Sequence, residues 1–199
     1  MIRPAQTARS ERTRDALRRA AMVRFLAQGV EETSAEQIAA DAGVSLRTFY
    51  RHFTSKHDLL FADYDAGLEW FRAALKARSP AEPILESVQS AIDASPYDPE
   101  AVAQIAALRA KELDPGSIVR HTRQVEAEFA DAVAEQMSAG AEAASVDERL
   151  YVIVSSRCIA AAVFGAMEMW MTGDDQSLEE LQRLCRAALA LLRPDHLTG

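Results

Sequence analysis

Residues that start and stop helices recur along this 199-residue chain, and the apolar positions between them fall at helical spacing. Gly29 and Gly43 are placed to end helices, because a glycine past the last turn adopts the left-handed conformation without steric cost. Ser34, Ser45, Ser55, Ser145 and Ser177 each precede an apolar run as N-cap candidates. Three of them begin capping boxes, Ser34 with Gln37, Ser145 with Glu148 and Ser177 with Glu180. Pro80 and Pro83, Asp98-Pro99 and Asp114-Pro115 mark three further starts, and Gly173 and Pro194 two further stops. This punctuation predicts about nine helices and no repeat. Composition agrees: 38 alanines face only 28 valines, isoleucines and threonines combined, a balance that favours helix over sheet. The expected fold is all-α.

The N-terminal helices are the most informative. From about Arg9 to Gln28, Leu17, Ala20, Ala21 and Phe25 form an apolar stripe, and Arg12, Arg18 and Arg19 lie elsewhere on the wheel. A short second helix follows Ser34, with Ile38, Ala39 and Ala42 as its apolar face. After Gly43, Ser45 caps a third helix to about His52, and Val44 can staple against Phe49. Phe49 and Phe53 are four apart and share one side, leaving Leu46, Arg47, Thr48, Tyr50, Arg51 and His52 around the outward surface. Two short helices joined by a glycine turn, the second outwardly basic and aromatic, describe a helix-turn-helix. Ser55 is then expected to cap a long fourth helix beginning at Lys56.

Charge is divided along the chain. Residues 1 to 56 hold 10 Lys and Arg against 6 Asp and Glu, whereas residues 57 to 199 hold 12 against 24. A net charge of −8 repels nucleic acid, yet an N-terminal module at +4 can present a basic face to phosphate. The arginine-rich first twenty residues contain no apolar block of the kind that directs export. The longest uninterrupted apolar stretch, Cys158 to Met167, is half of what a bilayer span requires, so no membrane partner is expected. Cys158 and Cys185 sit in helix-like patterns and suit a reducing cytoplasm.

The stretch from Ser34 to Leu60 strongly resembles the DNA-binding domain of TetR-type transcriptional regulators. The resemblance rests on Ile38-Ala39, Ala42-Gly43-Val44-Ser45, Thr48-Phe49-Tyr50-x-His52-Phe53 and Ser55-Lys56-x-x-Leu59-Leu60 at fixed mutual spacing. It implies a helix-turn-helix domain over 1–54, a helical ligand-binding and dimerisation domain over 55–199, and a homodimer on a pseudo-palindromic double-stranded operator. It also implies release from DNA by a small-molecule effector. Helix starts at Ser34, Ser45 and Ser55 offer free amides to phosphate, and Lys56 adds a charge beside them. Arg47 is the expected base reader, because a guanidinium fork matches the O6 and N7 of guanine, with Thr48 beside it. By resemblance Tyr50 and His52 reach phosphate; partial burial against helix one is the alternative for Tyr50. Leu46 is bulkier than the residues such proteins often carry there. Arg51 completes the expected surface, and Arg3, Arg9 and Arg12 can reach an adjacent minor groove as homeodomain arms do.

Helix eight is apolar nearly all round from Leu150 to Met167, which one subunit's core can cover on one side only. With helix nine it is expected to form a four-helix dimer interface. Arg157 and Glu168, charges within that apolar helix, need water or partners, and a salt bridge to the other subunit is at least as good a candidate as a ligand. Leu68, Phe71, Phe129, Phe164 and Met167 are candidate effector contacts, with Arg157 or Arg109 as anion partners. Every helical core contains such apolar residues, and sequence does not separate a pocket wall from a filled interior. The composition and the Arg-Thr-Phe-Tyr-Arg segment are similar to actinobacterial regulators, some of which respond to acyl-CoA-like lipids. No G-x-S-x-G, Walker glycine loop or H-E-x-x-H is present, so neither an enzyme nor a cofactor or metal is expected. The rival to a DNA-binding repressor is a helical module that binds a protein partner.

Overall fold

The computed structural model describes residues 4–96, 99–139, 145–175 and 177–193. Among these residues there are nine α-helices and no strand: α1 Pro4–Gln28, α2 Ala35–Asp41, α3 Leu46–His52, α4 Ala62–Lys76, α5 Ile84–Asp93, α6 Pro99–Glu112, α7 Pro115–Met137, α8 Val146–Thr172 and α9 Leu178–Ala190. The expected cap at Asp98, the stop at Pro194 and the position of Arg3 lie outside the described residues. The first helix starts at Pro4, before the expected Arg9, as suits a residue that lacks the amide a first turn leaves unused.

The chain folds into two compact units. One comprises residues 1–63 with 108–114, and the other 64–107 with 115–199. The first therefore takes in residues 55–63 and the end of α6 as well as residues 1–54. Its core is built from Leu17, Phe25, Ile38, Phe49, Phe53 and Leu60, all almost fully enclosed, with Leu108 and Leu113 packed against them. Each such side chain removed from water contributes roughly 1.5–3 kcal/mol, and these contacts hold α2 and α3, too short to be stable alone.

Local geometry follows the caps closely. Gly29 ends α1 at φ +86° and Gly43 ends α2 at φ +67°, both in the left-handed region. Ser34 Oγ accepts from the amide of Gln37 (3.2 Å) while Gln37 Oε1 accepts from the amide of Ser34 (2.9 Å). The reciprocal pair recurs at Ser145 and Glu148. At Ser177 only half forms: its Oγ accepts from the amide of Glu180, but the Glu180 carboxylate turns to Arg183, and Asp175 takes the Ser177 amide instead. A guanidinium one turn along offers two charged donors, where the cap amide offers one neutral donor.

The fourth helix departs from expectation. Lys56–Phe61 is a 3₁₀ helix, and α-helix begins only at Ala62. Asp58 gathers the amides of Thr54 and Ser55 and the Ser55 hydroxyl at its start. Near its end Arg109 Nε donates to the Leu60 carbonyl (2.7 Å), while the guanidinium pairs with Asp63 and lies 5.5 Å from the Phe61 ring centre. The Arg109 side chain is 3% exposed and that of Asp63 11%.

In the second unit α8 packs against both α7 and α9, with Val133, Ile159, Val163, Trp170, Cys185 and Leu189 enclosed. Only one side of α8 is covered: Leu150, Tyr151, Ile153, Val154 and Met169 are exposed.

Candidate nucleic-acid interface

Recognition by an α-helix requires a face that is free and a back that is fixed. Phe49 is fully buried and Phe53 nearly so, their rings 6.0 Å apart, and Ser45 Oγ accepts from the amide of Thr48 (3.2 Å) at the front of α3. A rigid turn and an aromatic anchor thus present Arg47, Tyr50 and Arg51 to solvent. Tyr50 is 54% exposed, its ring edge-on to Phe49. At that exposure its ring is not enclosed against helix one.

The other expected residues are distributed less simply. Thr48 is half-buried and its hydroxyl bonds to Ser45 Oγ at 2.9 Å. Leu46 is not outward as expected: it packs partly against the core cluster, since an isobutyl group gains by leaving water. His52 is half-buried, and its Nε2 is enclosed with no hydrogen-bond partner. Burial, and then the cations of Arg51 and Arg14, hold its imidazole below the ordinary range, in favour of the neutral ring. Arg14 stands beside it, 5.6 Å from the Phe53 ring centre, and Arg9 and Arg12 are exposed earlier in α1.

Ser34 and Ser45 occupy their caps as expected. Lys56 does not simply project outward: its ammonium donates to the carbonyls of Val30 (2.7 Å) and Glu31 (3.1 Å), tying the turn after α1 to the 3₁₀ helix. Nothing in the spacing of the sequence signals this, because the contact spans 26 residues. Arg24, unremarked in the sequence, forms a two-pronged ion pair with Asp41 that braces α1 against α2. That pairing raises the arginine's affinity for its proton and lowers that of Asp41.

In the second unit Phe71 and Phe129 stack with centres 3.9 Å apart, and Phe164 meets Phe129 edge-on at 5.8 Å. Leu68 on α4 is buried and Met167 on α8 half-buried. Three of the five effector candidates thus form one aromatic column joining α4, α7 and α8. Arg109, considered as an anion partner, is instead enclosed by Asp63 and Leu60 in the first unit. A separate groove of about 310 Å³ between α5 and α9, bordered by Leu85, Gln89, Arg186, Leu189 and Arg193, contains none of the candidates. Among the described residues no cluster of His, Cys, Asp and Glu is arranged to hold a metal ion.

Comparison with known proteins bears directly on this arrangement. The sequence pattern of bacterial regulatory proteins of the tetR family matches residues 17–62, the span from the first core leucine of α1 to the start of α4. The HTH-type transcriptional regulator TcmR of Streptomyces glaucescens is 31% identical over 195 residues, covering 92% of this chain and 84% of that protein. NalD of Pseudomonas aeruginosa, described as the secondary repressor of the MexAB-OprM multidrug efflux pump, superposes with a TM-score of 0.54 at 22% identity, covering 94% of this chain and 99% of its own. The fatty acid degradation regulator FadR of Bacillus halodurans gives 0.53 at 16% identity, with 91% and 96% covered. These two structures share the fold. With an anchored helix-turn-helix and a relative matched over most of its length, the chain belongs to the TetR family of bacterial transcriptional regulators, which are DNA-binding proteins and not enzymes.

Proposed function

We propose that this regulator is a cytoplasmic repressor that binds a palindromic operator as a homodimer, with α3 of each subunit in successive major grooves. The observation that carries this reading is the free face of α3, with Arg47, Tyr50 and Arg51 exposed on a helix whose back is fixed by Phe49 and Phe53. Arg47 reads guanine through its fork, while Tyr50, Arg51 and His52 contact phosphate. Ser34, Ser45, Leu46, Thr48 and Lys56 complete the surface, Lys56 chiefly by holding the turn after α1 in place.

Subunits associate through α8 and α9. By length and composition α8 is the one described helix able to cross a bilayer, and its exposed apolar side supports burial against a second copy. The effector is a small hydrophobic or acyl-CoA-like molecule taken up beside Leu68, Phe71, Phe129, Phe164 and Met167. It acts by favouring one position of α4, which begins where the 3₁₀ helix of the DNA-binding unit ends. A coupling of about 1–3 kcal/mol changes operator affinity roughly 5- to 150-fold.

Selection of bound sequences from a random DNA pool tests the proposal. A palindromic consensus with half-sites about one helical turn apart is the expected result. No enrichment even at low salt refutes it.

A further inference from the structure

The uncovered side of α8 carries a charge pattern that is complementary to itself. Between Leu150 and Met169 the helix has two charged residues, Arg157 and Glu168. Both are exposed, and neither has an ion-pair partner among the described residues. Eleven residues separate them, which on an α-helix is about three turns, roughly 16 Å along the axis and nearly the same azimuth. Midway between them lie Ala161 and Gly165, both exposed, and a Cβ built on Gly165 meets nothing within 4 Å. The middle of this face is therefore flat and open, as close approach of two helices requires.

We propose that α8 packs antiparallel on α8 of a second copy, about a two-fold axis between Ala161 and Gly165, in the register that sets Arg157 on the partner subunit's Glu168. This rests on the homodimer reading above and adds its geometry. A two-fold axis pairs residue i with j and j with i, so one axis forms the ion pair twice. The same axis brings Ala161 within one residue of the partner's Gly165, and Val154 within one residue of the partner's Thr172. Sliding the dyad to Ala161 itself sets Glu168 against the partner's Val154 and Arg157 against the partner's Gly165, leaving four charges unpaired in an apolar seam. A parallel alignment sets arginine against arginine. Charge thus selects one register from an otherwise permissive apolar face.

Charge exchange in the full-length protein is the test, read by sedimentation equilibrium, with helical content by circular dichroism as the check on folding. Arg157→Glu and Glu168→Arg should each weaken association by about 100-fold, since each sets like charges together twice. The double variant should return to within about 10-fold of the parent. The two single variants, mixed, should form a heterodimer, because one then carries only acidic and the other only basic partners at these positions. If either single variant fails to fold, a chain with Cys158→Ser, Ala161→Cys and Gly165→Cys should form an interchain disulfide on mild oxidation. A dimeric parent with dimeric single variants, or no rescue by the double variant and no disulfide, overturns the register while leaving the dimer intact. A parent that stays monomeric at micromolar concentration overturns the homodimer reading itself.

Discussion

Replacing Arg109 with methionine removes a cation from the interior of the DNA-binding unit and leaves the opposing groups behind. Arg109 donates to the Leu60 carbonyl, pairs with the Asp63 carboxylate and lies against the Phe61 ring. Breaking a buried ion pair by removing one partner costs about 3–5 kcal/mol, because the other is left unsolvated. The Asp63 side chain keeps 11% of its exposure and can draw in some water, which places the expected cost at the lower end, about 3 kcal/mol. That amounts to roughly a 150-fold rise in the open population of this region, since about 1.4 kcal/mol is a factor of ten. Hydrogen exchange reads it directly: the amides of Leu59, Leu60 and Ala62 should lose protection by about two orders of magnitude. Arg109→Lys should fall between, keeping the charge and losing the fork. Protection within threefold of the parent in Arg109→Met would refute the reasoning.

Arg47→Ala should lower operator affinity by at least about 30-fold in a mobility-shift titration with the dimer unchanged, since the proposal assigns it two guanine contacts per dimer of about 1–3 kcal/mol each. If each subunit neutralises about four phosphates, log K should fall with log salt at a slope of roughly −7 per dimer; a slope shallower than about −3 contradicts the proposed footprint. Glu82 is held down to about 2 by Arg78 and then Ser87. A depressed carboxylate stabilises fully above its ordinary value near 4.5, and that contribution is lost as pH falls toward 2. Arg78→Ala should therefore flatten the acid limb of the melting-temperature profile between those values. Burial pushes the Cys185 thiol up to about 12, so it should resist alkylation in the folded protein at pH 8 and react only on unfolding.

What could be read in advance, and what could not, divides by the range of the contact. Ser34, Gly43, Ser45 and Phe49 act on neighbours within four residues, and the sequence displayed them openly. The 3₁₀ helix was hidden partly because one contact that holds it, from Arg109 on α6 to the Leu60 carbonyl, spans 49 residues. The hydrogen bond from Lys56 to the Val30 carbonyl, 26 residues back, was equally out of reach of a local reading. Leu46 was misplaced outward because a seven-residue helix has too few positions for periodicity to separate a half-buried leucine from an exposed one. On α8 an apolar circumference with no preferred side led to an expectation of burial on more than one side; the subunit itself covers one face, through Ile159, Val163 and Trp170, and the other is the surface proposed for the second copy.

The DNA-reading head is discontinuous in the chain, since residues 108–114 complete what residues 1–63 begin. A graft cut after Asp63 would carry the whole proposed DNA-binding surface yet arrive with an open seam where Leu108, Arg109 and Leu113 belong. Engineers transplanting this specificity onto another sensor must bring that short return segment along, or choose a recipient whose own equivalent fills the gap.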